Sequence, residues 1–176
     1  MKHHLTPLPG VIVIEPKLIG DHRGSFFEAY RENQFSELGL PHFVQDNQSL
    51  SIQGTLRGLH FQAEPQPQAK LVRVLKGTIF DVAVDIRPDS PTFKQWYGTY
   101  LTSENNHMLF VPTGFAHGFY VLSETAEVLY KCSDYYAAEL DRAIAWNDSS
   151  IGVKWPLIDN QAPLISKKDA EAPTLG

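Results

Sequence analysis

The 176-residue chain holds a single cysteine, Cys132, so no internal disulfide can form, and a reducing cytoplasm suits it. Its N-terminus, MKHHLTPLPG, lacks the continuous apolar segment and small-residue cleavage site of a secretory signal. No apolar run approaches the roughly 18 residues that a membrane-spanning helix requires, so no membrane partner is expected. Basic charge is in short supply as well: 15 Lys and Arg against 20 Asp and Glu leave a net charge of -5. That balance argues against nucleic-acid binding, which shows as a basic stripe or cluster, and means that any anionic ligand needs a local site. Helical patterning is nearly absent. Only ENQFSELG, Glu32 to Gly39, reads as a helix, ending on a glycine suited to the left-handed C-terminal position.

What the chain does have is a succession of short β-rich segments bounded by Gly, Pro and Asn. In TIFDVAVDI, Ile79, Asp81, Ala83 and Asp85 alternate with Thr78, Phe80, Val82, Val84 and Ile86, the pattern of a half-buried strand. GVIVIE, SFFEAY, QDNQSLSI, AKLVRVLK, WYGTYL, HMLFV, GFYVL and AEVLYKCSDYY are further candidates. Many half-apolar strands with few helices must bury their faces against one another, which predicts an all-β sandwich or barrel, preferably a jelly roll. After Ile151 the chain is interrupted by Pro156, Pro163 and Pro173, and an irregular tail wrapped on the barrel is expected. No repeat, linker or low-complexity segment divides residues 1–176, so one domain is expected.

One strand candidate, TLRGLHFQ, carries an arginine and a histidine. Arg57 and His60 have opposite parity, so both can enter one cavity only if the strand is irregular near Gly58. Histidines on a jelly roll raise a metal site first. Metal-binding cupins supply a His-x-His pair with a glutamate, and a third His from Pro-x-Gly-x-x-His. Here the first reads His60-Phe61-Gln62, with an amide in place of the second imidazole, while Pro112, Gly114 and His117 keep the second. Two ligands remain where three or four are needed, so no metal is expected. His3 and His4, at the terminus, read as solvated residues or a purification remnant.

Other ionisable groups fall in equally apolar surroundings: Lys70 and Arg73 in AKLVRV, His117 in GFAHGF, Tyr130 and Lys131 in VLYK. Each alone reads as a hydrogen-bonded core residue or a solvent-facing end, but together they suit an anionic ligand. The same set offers a base, an acid and an oxyanion stabiliser, the chemistry of proton transfer beside a carbonyl.

DHRGSFFEAY, QDNQSLSIQGTLRGLHFQ, QAKLVRVLKGTIFDVAVDIRPDSPTF, FVPTGFAHGFYVLS, VLYKCSDYY, IAWND, VKWP and SKKD run in order from about residue 5 to 170. Together they resemble the dTDP-4-dehydrorhamnose 3,5-epimerases, cupin-like jelly rolls of rhamnose biosynthesis. The resemblance implies His60 as the base next to the C4 ketone, Asp169 as its orienting carboxylate, Lys70 as enolate stabiliser and Tyr130 as the acid on the opposite face. It also implies that Arg23, Phe26, Glu28, Gln45, Asp46, Asn47, Arg57, His117 and Lys168 surround the dTDP-sugar, with Tyr136 stacked on thymine. No cofactor is called for, since the ketone is its own electron sink. A homodimer is implied, with the stretch from Arg23 to Glu28 approaching the neighbouring cavity.

A proline and a glutamate usual in this family after the stacking tyrosine are replaced by Ala138 and Asp141, which puts the Asp141 contact in question. Three other readings stay open: epimerisation at C3 or C5 alone, a non-catalytic sugar-nucleotide binder, and a metal-dependent cupin enzyme.

Overall fold

The computed structural model describes residues 1–176. In chain order the elements are β1 (Lys2–Leu5), β2 (Ile12–Glu15), β3 (Ile19–Asp21), β4 (Gly24–Phe26), α1 (Glu32–Glu37), β5 (Gln45–Ile52), β6 (Leu56–Gln62) and β7 (Lys70–Lys76). There follow β8 (Thr78–Asp85), β9 (Trp96–Thr102), β10 (Met108–Val111), β11 (Phe115–Val121), β12 (Thr125–Cys132), β13 (Asp141–Ala143) and α2 (Lys167–Ala170). Two antiparallel sheets form the all-β jelly roll: six strands ordered β1-β2-β10-β7-β12-β5, and five ordered β13-β6-β11-β8-β9. The β3–β4 hairpin stands apart from both.

The barrel interior is filled from both sheets. Val13, Val72, Val74, Leu109 and Val128 of the six-stranded sheet meet Ile79, Ala83, Leu101, Phe119 and Val121 of the other, all buried. A second cluster covers the outer face of the six-stranded sheet, where Phe35 of α1 packs with Leu40, Phe43, Leu71, Met108 and Phe110. Each such side chain contributes about 1.5–3 kcal/mol when fully buried. The helix ends as expected, with Gly39 at φ 81°, a conformation that a side chain would disfavour.

Two expectations are corrected. TIFDVAVDI does form β8, but it is buried on both faces rather than one. Phe80, Val82 and Val84 turn outward, yet they are covered by Ile144, Ile151 and Trp155 of the C-terminal segment. Strand alternation reports which residues share a face, and a later part of the chain decides whether that face meets water. SFFEAY is a strand only as far as Phe26, because Phe27, Ala29 and Tyr30 leave the hairpin to pack on the outer cluster.

The tail wraps the barrel as an irregular segment, as expected, with one short helix in it: Ser166 caps α2 by accepting from the Asp169 N–H at 3.1 Å. Leu164 pairs with Thr55, tying the tail to the start of β6. His3 and His4 lie exposed in β1, where His4 meets Glu15.

At the end of β8, Asp85 is fully buried and accepts from Arg87, Ser90 and Thr92 side chains at 2.6–2.9 Å. Burial alone would push its carboxyl up, but these donors outweigh it and hold the group far below the usual carboxylate range. Its stabilising effect is therefore complete above the unfolded-state value of about 3.9 and is lost as pH falls through the folded one. Asp85→Ala, which strands those donors, is expected to lower stability at pH 7 by about 2–3 kcal/mol in urea denaturation.

Candidate active site

The register between β6 and β11 runs His60↔His117, then Arg57↔Phe119, so three steps on β6 match two on β11. One extra residue is accommodated at Gly58, whose φ is 133°. A Cβ there would lie 2.5 Å from Gly118 Cα, so only glycine permits the close approach. This is the irregularity expected from the parity of Arg57 and His60. It puts both on the sheet face of Phe119 and His117, with Arg57 still exposed at its end. Arg57 Nε donates to Ser51 Oγ on β5 at 3.0 Å.

His60 Nε2 lies 2.5 Å from Asp169 Oδ1, which is almost fully buried. Burial raises the Asp169 carboxyl, but hydrogen bonds from His60, Ser166 and the Gly58 backbone prevail and keep it below its ordinary value. An ionised carboxylate only accepts, so the Nε2 proton sits on the imidazole and Nδ1 keeps a lone pair for base chemistry. α2, one turn long, holds that carboxylate beside His60.

Lys70 opens β7 and Tyr130 lies near the end of β12. Burial depresses the Lys70 ammonium pKa, making it a readier proton donor to an oxyanion, and its Nζ lies 5.9 Å from the Tyr130 ring centroid. Burial raises the Tyr130 phenol, with the neighbouring Cys132 acting in the same sense, while Asn47 and Arg57 partly offset it. The phenol therefore stays protonated, as a donor must. Asn47, His60, Gln62, Gln68, Lys70, Tyr130, Tyr136 and Asp141 line one cleft of about 130 Å³. A larger depression of about 460 Å³ beside Lys2, Glu15 and Lys17 gathers no comparable set.

The remaining expected residues divide into two groups. Tyr136, Asp141 and Lys168 meet at the rim, the Tyr136 hydroxyl donating to Asp141 at 3.2 Å and Lys168 pairing with the same carboxylate. Gln45 joins them through the Tyr136 N–H, at 2.9 Å. His117 is buried and bonded to Asp81 at 2.7 Å. By contrast, Asp46 has the opposite parity from Gln45 and Asn47 and points outward to Lys131, at 2.9 Å. Arg23, Phe26 and Glu28 are also away from the cleft of their own chain: Arg23 pairs with Asp21, Glu28 with Arg31, and Phe26 is 65% exposed.

Sequence reasoning missed Asp81 and the structural use of Gln62. Asp81 was visible as an acid among the apolar residues of β8, but nothing local tells that it backs His117 across a strand. The metal-cupin donor set does not fit. His60 and His117 are each committed to a carboxylate, Gln62 to backbone groups, and no three His, Cys, Asp or Glu side chains converge.

Fold and site define a cupin-like jelly roll whose cleft carries a histidine–carboxylate pair, a half-buried lysine and a protonated phenol. The model of the dTDP-4-dehydrorhamnose 3,5-epimerase family matches residues 5–176, and the chain belongs to that family. The dTDP-4-dehydrorhamnose 3,5-epimerase of Salmonella typhimurium is 52% identical over 172 residues, covering 97% of this chain and 93% of that protein. A dTDP-6-deoxy-D-glucose-3,5-epimerase from Legionella pneumophila, solved with dTDP-4-keto-L-rhamnose, superposes with a TM-score of 0.95 at 48% identity, covering 99% of this chain and 92% of that one. A 3'-monoepimerase from Streptomyces bikiniensis, solved with dTDP-quinovose, has a TM-score of 0.90 at 34% identity, covering 98% of this chain and 87% of that one.

Proposed function

We propose that the protein converts dTDP-4-dehydro-6-deoxy-D-glucose to dTDP-4-dehydro-L-rhamnose by inverting C3 and C5. The observation that carries this reading is the shared cleft of His60, Lys70 and Tyr130, with Asp169 behind the imidazole. His60 Nδ1 removes the proton from a carbon beside the C4 ketone, and the C–H electron pair moves into a new C=C bond as the carbonyl oxygen becomes an enolate. Lys70 stabilises that oxygen. Tyr130 returns a proton to the same carbon from the other face, so the centre inverts, and water restores the phenol and the neutral imidazole. Because both C3 and C5 flank the ketone, a second round at the other carbon uses the same groups. The nucleotide end is held by Tyr136, Lys168, Gln45 and Arg57, with His117 beside the sugar.

The 3'-monoepimerase keeps the alternative of a single inverted centre in view. Product analysis by NMR after incubation with the ketosugar nucleotide separates the two: the L-rhamno product is expected, and a product inverted at one carbon would overturn the two-centre reading.

Residues that miss their own cleft support a homodimer in which Arg23, Phe26 and Glu28 reach the partner's substrate. Ile19 and Phe26 on the hairpin, and Leu50 and Ile52 on the edge strand β5, are 60–67% exposed. Sedimentation at assay concentration is expected to give a dimer; a monomer of full activity would exclude a shared site. Its sugar-nucleotide chemistry and its free cysteine, Cys132, support a cytoplasmic setting. No helix is long and apolar enough to cross a membrane.

A further inference from the structure

We infer that Gln62 and Gln68 are positioning residues that fix Tyr136 at the rim of the cleft by clamping the backbone of Asp134–Ala137. This rests on the reading of Tyr136 as the residue that stacks on the nucleobase. After Cys132 the chain leaves β12, and its backbone donors and acceptors need new partners. Glutamine side chains supply them at four consecutive residues. Gln68 Nε2 donates to the Asp134 carbonyl at 2.8 Å and Gln62 Nε2 to that of Tyr135 at 3.0 Å. The Tyr136 N–H donates to Gln45 Oε1 and the Ala137 N–H to Gln62 Oε1, both at 2.9 Å.

Gln62 is 6% exposed, and its second amide proton goes to the Gln66 carbonyl at 2.5 Å. Both of its N–H groups and its carbonyl are thus spent on backbone, leaving no donor for substrate although it lines the cleft. This accounts for the amide at the position where metal cupins carry their second histidine. An imidazole cannot present two donors and an acceptor at once, and a carboxylate can only accept. The clamp is neutral, so it holds the loop without adding charge beside His60 and Lys70. The Tyr136 ring itself is 57% exposed, tethered only through its hydroxyl to Asp141. Backbone held on both sides and a free aromatic face make a preorganised stacking platform, which spares the ordering cost on binding.

Gln62→Met and the gentler Gln68→Met, at a half-buried residue, each remove the amide with little change of shape and without adding charge to the cleft. KM for the dTDP-ketosugar and Kd for dTDP are expected to rise about fivefold, the effect of one lost hydrogen bond, while kcat stays within twofold. Tyr136→Ala alone is expected to raise both about tenfold or more. Adding Gln68→Met to Tyr136→Ala is expected to have no further effect, because the clamp acts through that ring. A multiplicative double variant, or loss of kcat at unchanged KM, would overturn the clamp while leaving the stacking role intact. So would unchanged KM in both glutamine variants. Should Gln62→Met fail to fold, Gln68→Met decides. Unchanged KM in Tyr136→Ala would instead remove the stacking reading, and the clamp with it.

Discussion

His60→Ala is expected to leave a folded protein that transfers no solvent deuterium into the ketosugar and turns over about 10²–10⁴-fold more slowly. The side chain sits in the middle of β6, whose backbone remains paired to β11 and β13, so its removal does not unmake the sheet. What disappears is the imidazole that lines the cleft. Asp169 is almost fully buried behind the vacated imidazole position and does not line the cleft, so it makes a poor substitute base. A thermal melt on the same sample separates lost chemistry from lost structure. Near-normal turnover would remove His60 from the reaction.

Tyr130→Phe tests the other face of the ring. It keeps the aromatic packing near Lys70 and loses only the hydroxyl, so the first half of the reaction can proceed while the second lacks its donor. Deuterium exchange into the substrate is expected to persist, with completed epimerisation reduced by about 10²-fold or more. Exchange and epimerisation falling together would show that the phenol is needed for proton removal, and would contradict a two-sided arrangement. Because burial lifts the phenol above its usual value of 10.0, the wild-type enzyme should lose no activity through Tyr130 ionisation until the pH exceeds that value.

Much of this molecule is legible in its sequence where the signal is local. The alternating segments locate β5, β7, β8 and β12, and the helix ending at Gly39 is where it should be. The clash of parity between Arg57 and His60 forecasts the bulge at Gly58, since two polar side chains bound for one cavity leave a regular strand no solution. Relations between distant segments are less visible. The double burial of β8 depends on Ile151 and Trp155, some 70 residues later, and the partnership of Asp81 with His117 depends on strand neighbours.

Family resemblance identifies Asp169, which composition alone would leave as a solvated acid, and the structure gives the reason: Ser166 turns the chain so that the carboxylate enters behind His60. The resemblance also groups Asp46 with Asn47, yet adjacent residues on a strand face opposite ways, and Asp46 points outward. Arg23, Phe26 and Glu28 carry a further lesson. A set of residues can belong to one site in the family and still miss the cleft of the chain that bears them.

The most direct measurement is proton NMR of dTDP-4-keto-6-deoxyglucose incubated with the wild-type protein in deuterated water, with a chelator present. Loss of the C3 and C5 proton signals, as solvent deuterium enters both positions, is the predicted result. Full retention of both protons by a protein that still binds dTDP would contradict an imidazole poised against the sugar and leave a binding protein in place of an epimerase.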